Sequence, residues 1–157
     1  MSRVVIYSDG ASKGNPGDAG IGVVITDEKG SVLSEIAEYI GKTTNNVAEY
    51  SALIRGIKEA AELRATQIDI RTDSKLLAMQ LSGVYKVKSA NLKPLFEEAV
   101  SLLRVFERVT ISHVVRELNK RADELANEGI KKHKTRTPDR ALRPLSARKT
   151  RQGKLGL

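Results

Sequence analysis

The chain has 157 residues, 40% of them hydrophobic, which suits one globular domain and excludes disorder over most of the length. It has no cysteine, so disulfide frameworks and thiolate metal sites are excluded, and any metal must rest on oxygen or imidazole ligands. The net charge of +8 is uneven: residues 134–157 hold eight Lys and Arg against Asp139 alone, while the rest sums to about +1.

The opening Met1-Ser2-Arg3 runs straight into Val4-Val5-Ile6-Tyr7, too short and too soon polar for a signal peptide, and no apolar run reaches the ~20 residues that cross a bilayer. A cytoplasmic location with no membrane partner is the expectation. Residues 3–8 are β-branched and aromatic and predict a buried strand that meets a turn at Asp9-Gly10. Residues 11–17 lack apolar periodicity and predict a loop. Residues 20–26 predict a second strand, 27–31 a hairpin turn and 32–40 a third strand.

After residues 41–45 the period becomes helical. Glu49, Leu53, Gly56 and Ala60 recur at helical spacing, which lines a carboxylate up with a core-facing stripe. Residues 67–72 predict a fourth strand, 74–80 a short helix, 90–107 a longer helix, 109–115 a fifth strand and 119–130 a last helix ended near Gly129. The order βββαβααβα implies an α/β layered domain with a mixed sheet. Two units are expected: a body over residues 1–133 and a basic tail over 134–157. The tail reads as a polyanion-binding arm, in which Leu142, Leu145, Leu155 and Leu157 offer contacts for partial docking on the body.

Singly, the candidate acids have structural explanations. Asp9 precedes a glycine, a common turn pair. Glu49 stands three residues after Asn46, the spacing of a capping box. Asp73 or Ser74 can cap a helix, and Asp123 can be a surface acid beside a buried stripe. Together they read differently. Asp9 and Asp73 close strands and Glu49 starts a helix, and strand ends are where open sheets build sites. Acids gathered there repel one another unless cations join them, and Mg²⁺ supplies that charge through oxygen ligands. Two such ions about 4 Å apart can activate a water and stabilise the leaving oxygen of a phosphodiester.

At this point the sequence resembles the type 1 ribonucleases H. Residues 8–17, Ser-Asp-Gly-Ala-Ser-Lys-Gly-Asn-Pro-Gly, followed by Gly20-Ile21-Gly22, are similar to the family's first motif. Thr44-Asn45-Asn46-Val47-Ala48-Glu49-Tyr50 is similar to the second, Thr72-Asp73-Ser74 to the third and Asn119-Lys120-Arg121-Ala122-Asp123-Glu124-Leu125-Ala126-Asn127 to the last. The resemblance covers about residues 3–131. It implies a ribonuclease H-like fold, a five-stranded mixed sheet ordered 3-2-1-4-5 with helices on its faces. It further implies that Asp9, Glu49, Asp73 and Asp123 are catalytic and hold two Mg²⁺ ions per site, with Mn²⁺ a substitute. The implied reaction is endonucleolytic cleavage of the RNA strand of RNA–DNA hybrids, leaving 5′-phosphate and 3′-hydroxyl ends, by a monomer.

Substrate contacts follow from the same resemblance. Gly14, Asn15, Asn45 and Asn46 match positions that touch the minor groove, where amides reach the 2′-hydroxyls that distinguish RNA; Gln80 is a further candidate. Double-stranded RNA shares much of that groove shape and is a candidate side substrate. Three features depart from the family pattern. The loop over residues 114–119 lacks the histidine many members carry, and Arg116 is the candidate to act on phosphate instead, with His113 placed in the strand as a structural residue. The link over 83–91 is too short for a basic protrusion, and the basic tail lies outside the shared motifs. The main alternative is a non-catalytic hybrid-binding module, which intact acids oppose because carboxylates repel a phosphate backbone.

Overall fold

The computed structural model describes residues 2–140, with side chains as far as His133. It contains β1 (Ser2–Lys13), β2 (Gly17–Thr26), β3 (Val32–Thr43), α1 (Asn45–Glu62), β4 (Ala65–Thr72), α2 (Lys75–Leu81), α3 (Lys93–Leu103), β5 (Arg108–His113), a 3₁₀ turn (Arg116–Asn119) and α4 (Lys120–Arg140). The sheet order is β3-β2-β1-β4-β5, the expected mixed five-stranded arrangement. β1, β2 and β3 pair antiparallel, and β4 pairs parallel with both β1 and β5.

Alternation along the strands decides which layer each side chain joins. Val4 and Ile6 of β1, Val23 and Ile25 of β2 and Ile68 and Ile70 of β4 form one core with Tyr50, Leu53, Ile57 and Ala60 of α1. Each such Leu or Ile contributes about 1.5–3 kcal/mol relative to exposure, so α1 is the helix held hardest to the sheet. Only Ala99 of α3 is fully buried, and that helix packs more loosely. On the opposite face α4 lies over β1, β2 and β3 through Ala122, Leu125, Ala126 and Ile130. No described helix is long and apolar enough to cross a membrane.

Several boundaries differ from the sequence expectation. β1 does not stop at residue 8 but runs to Lys13, because its polar second half pairs residue by residue with β2, Asp9 opposite Gly22 and Lys13 opposite Asp18. The expected loop shrinks to a turn at residues 14–16, where Gly14 has φ +106°. α3 is shorter than the apolar period suggested, and Phe106 is buried from the connection that follows it. α4 passes through Gly129 and continues to Arg140. Gly129 is no stop signal: a Cβ there would lie 2.4 Å from the Glu38 carbonyl oxygen, so its role is close packing of helix on β3. The backbone of residues 134–140 thus belongs to α4, while residues 141–157 and the expected tail docking through Leu142, Leu145, Leu155 and Leu157 lie outside the described residues.

Candidate active site

The site forms where the middle of β1 and the end of β4 meet the starts of α1 and α4. Asp9 is in mid-strand and not in a turn, so the turn-pair explanation for it fails. Its neighbours Gly10 and Gly22 admit the two helices. A Cβ on Gly10 would sit 2.2 Å from the Ala48 carbonyl carbon and 2.4 Å from the Glu49 nitrogen; one on Gly22 would sit 2.0 Å from the Ala122 carbonyl oxygen. Only glycine tolerates such contacts, so the α1 backbone presses on β1 and the α4 backbone on β2 on either side of Asp9.

The cap assignments release the other acids. Thr44 caps α1, its Oγ1 accepting from the Val47 N–H at 3.3 Å, so Asn46 is not the N-cap and Glu49 is not half of a capping box. Glu49 instead turns inward and accepts the Gly10 N–H at 3.1 Å. Ser74 caps α2 by accepting from the Leu77 N–H at 3.1 Å, which leaves Asp73 without that duty. Oxygens of Asp9, Glu49 and Asp73 lie within 4.8 Å of one another. Asp9 and Glu49 are 6% and 7% exposed. Asp123 is exposed at the rim, outside that close trio, near enough to push the Asp9 carboxyl upward.

Three ionised carboxylates at this separation repel by roughly 3 kcal/mol per pair at an effective dielectric of about 20. Burial first, and then the charges of Glu49, Asp73 and Asp123, push the Asp9 carboxyl up to about 9. Burial likewise pushes Glu49 up to about 8; the Gly10 N–H and Arg116 oppose this while Asp73 and Asp123 add to it. Arg116 approaches Asp73 at 3.8 Å but its side chain is 84% exposed, so its charge is largely spent on solvent. The cluster lacks a balancing cation from the described residues. Its all-carboxylate donor set suits a hard, oxygen-seeking divalent ion.

The structure places the remaining expected residues as follows. Gly14, Asn15, Asn45 and Asn46 are exposed, and the Asn45 N–H donates to Asn15 Oδ1 at 3.0 Å, tying the β1–β2 turn to the start of α1. Gln80 departs from expectation. It is 5% exposed and its Oε1 accepts from the Tyr50 hydroxyl at 2.7 Å, a bond inside the core that keeps it from facing a groove. His113 ends β5 opposite Thr72, as expected for a strand residue, but it is exposed.

Sequence reasoning passed over Asn119 as a residue with its own role. It is 1% exposed, and its Nδ2 donates to the Ser8 carbonyl at 2.9 Å, pinning the start of α4 beside Asp9. Asn119 Oδ1 and Ser8 Oγ are buried without a partner among the described residues. The available signal was position: an amide one helical turn before Asp123, too early to be surface decoration on α4.

Residues 7–129 match a family model described as reverse transcriptase-like. The chain is 45% identical over 129 residues to a bifunctional protein of Mycobacterium tuberculosis, covering 82% of this chain and 35% of that one. A crystal structure of RNase H1 from the halophilic archaeon Halobacterium salinarum is 42% identical with a TM-score of 0.81, covering 82% of this chain and 98% of that one. A crystal structure of LC11-RNase H1 in complex with an RNA/DNA hybrid is 47% identical with a TM-score of 0.79, covering 82% and 97%. The chain spans about a third of the length of the mycobacterial relative.

Proposed function

The chain belongs to the type 1 ribonuclease H family, and from that premise we propose that it is an endoribonuclease that hydrolyses the RNA strand of RNA–DNA hybrids. The carrying observation is the trio Asp9, Glu49 and Asp73, the first two buried and the third half-buried, supplied by three separate segments and faced among the described residues only by the solvent-exposed Arg116. In this reading Asp9, Glu49, Asp73 and Asp123 hold two Mg²⁺ ions, or Mn²⁺ in their place. When bound, these ions lower the pKa of an attacking water and stabilise charge on the phosphate and the leaving oxygen.

The chain's own groups do the rest. Four carboxylates, ionised in the presence of divalent cations, would hold the ions against which the scissile phosphate is placed, and the reaction needs no nucleophilic side chain. The phosphorus–O3′ bond breaks as the water oxygen bonds to phosphorus, so one fragment keeps a 5′-phosphate and the other a 3′-hydroxyl. Arg116 reaches in from solvent to steady a displaced phosphate oxygen. Gly14, Asn15, Asn45 and Asn46 form a linked rim that offers amides and main-chain groups to 2′-hydroxyls, which selects the RNA strand. The hybrid in the LC11 complex supports this choice of substrate. We further propose double-stranded RNA as a side substrate, on its similar groove shape, and a monomer as the working form. The body over residues 1–133 carries all of these groups, and the basic segment 134–157 adds phosphate contacts.

End-labelled RNA–DNA, RNA–RNA and single-stranded RNA, each with Mg²⁺, Mn²⁺ or chelator, test this directly. The expected result is internal cleavage of the hybrid's RNA strand only when a divalent ion is present. Intact hybrid with both ions, from a chain shown to be folded, would reject the enzyme and favour a binding module.

A further inference from the structure

The face of the sheet that carries Asp9 continues beyond α4. Register places three rows of side chains there: Tyr7, Arg71 and Ser112; Val5, Asp69 and Thr110; Arg3, Gln67 and Arg108. α4 packs over β1, β2 and β3, and leaves the β4–β5 part of this face uncovered among the described residues. A shallow depression there is lined by Arg3, Gln67, Ile68, Arg108 and Thr110.

The strip is positively charged. Asp69 is buried and its charge is taken up by Arg3 at 3.4 Å and Arg71 at 2.9 Å, with Thr110 Oγ1 donating at 3.0 Å. Both arginine side chains remain partly exposed, at 44% and 36%. Arg108 is exposed and has no ion pair among the described residues. Arg71 also lies over the Tyr7 ring at 5.6 Å, presenting a guanidinium plane of the kind that stacks on bases.

The geometry points to a single-stranded nucleic acid, flanking the hybrid, that leaves the acid cluster along this strip and is held at its phosphates by Arg71, Arg3 and Arg108. The assignment rests on the hybrid being the substrate. The strip is three strands wide, about 10 Å, and α4 rises along one side, which suits one strand and not a duplex. From Asp9 back to Arg3 the strip is about 20 Å long, continuous with the site. Charge opposes the chain's own end as the occupant, because residues 141–157 carry five Lys and Arg and no acid.

The test compares binding of a blunt hybrid with the same hybrid bearing an overhang of about six nucleotides on either strand, in chelator so that nothing is cut. Fluorescence anisotropy between about 50 and 200 mM salt reads the affinity and its salt slope. Three single-strand phosphate contacts predict an overhang slope steeper by about 2 units, at roughly 0.7 per contact. Arg108→Gln should remove about 0.7 of that excess and leave the blunt hybrid and thermal unfolding unchanged, since Arg108 supports no other side chain. Equal affinities and slopes for blunt and overhung hybrids would overturn the assignment. So would an Arg108→Gln loss equal for both. Labelled oligo-glutamate that binds the full chain tightly and is released by Arg108→Gln, with no overhang excess, would give the face to an acidic peptide instead. Cleavage of the blunt hybrid with Mg²⁺, run in parallel, tells failure of this surface from failure of the nuclease reading.

Discussion

Two buried acid sites lie on the same sheet and have opposite solutions. Asp69, halfway along β4, is surrounded by Arg3, Arg71 and Thr110, and its charge is met inside the protein. Asp73, just past the end of the same strand, joins Asp9 and Glu49, where the one nearby cation among the described residues is the solvent-exposed Arg116. The first arrangement is complete without a ligand. In the second, repulsion is left standing, and burial raises the proton affinity of Asp9 and Glu49 far above the usual carboxylate range. A buried carboxylate alone therefore says little about function; a group of them denied protein cations says a great deal.

The sharpest break between the two sites is Asp9→Asn. Divalent-dependent cleavage of hybrid should fall on the order of 10³-fold or more, while circular dichroism reports an intact fold. Substantial activity in this variant and in Asp73→Asn would erase the distinction drawn above.

The second prediction concerns pH. Unfolded, the carboxyls titrate near pH 4; folded and metal-free, Asp9 and Glu49 titrate at about 9 and about 8. Between those limits the folded chain binds more protons than the unfolded one, so stability is fullest below about pH 4 in respect of these groups and falls as pH rises through 8 and 9. In chelator the Tm should drop by about 5 °C or more between pH 5.5 and 9. Millimolar Mg²⁺ should restore much of that loss, and Asp9→Asn should flatten it. An unchanged slope in Asp9→Asn would assign the effect to other groups.

Asp69→Asn should behave in the opposite way to Asp9→Asn. Losing the charge frees two partly exposed arginines, which water can solvate, so the cost is about 1–2 kcal/mol, or a Tm lower by about 5 °C. Hybrid cleavage at a temperature well below Tm should be unchanged. A loss of turnover comparable to that of Asp9→Asn would place Asp69 in the reaction path and merge the two sites.

The smallest effect is expected at Arg116. Its exposure limits its grip on Asp73, so Arg116→Ala should lower kcat by about three- to tenfold and Arg116→Lys by less. Steady-state hybrid cleavage checks this, and a loss as large as that of Asp9→Asn would make Arg116 the cation that balances the cluster.

The sequence by itself determined the architecture and the gathering of acids. The β-branched runs of β1 and β2, the helical stripe from Glu49 to Ala60 and the ordered motifs are local signals, and each survives in the structure because these segments are buried in the core. What it could not determine were properties that depend on neighbours distant in the chain. Asp9 read as a turn residue until its pairing with Gly22 was known, and Glu49 as a cap residue until Thr44 took that place. Gly129 read as a stop, yet it is a packing contact with β3. Gln80 has groove-like chemistry but is drawn inward by Tyr50. Asn119 carries its meaning only through Ser8, 111 residues away. In each case the residue type is local information, while its partner is chosen by tertiary packing. The difference between Asp69 and Asp9 is of the same kind: both are acids on a sheet, and only the folded chain decides which one receives its arginines.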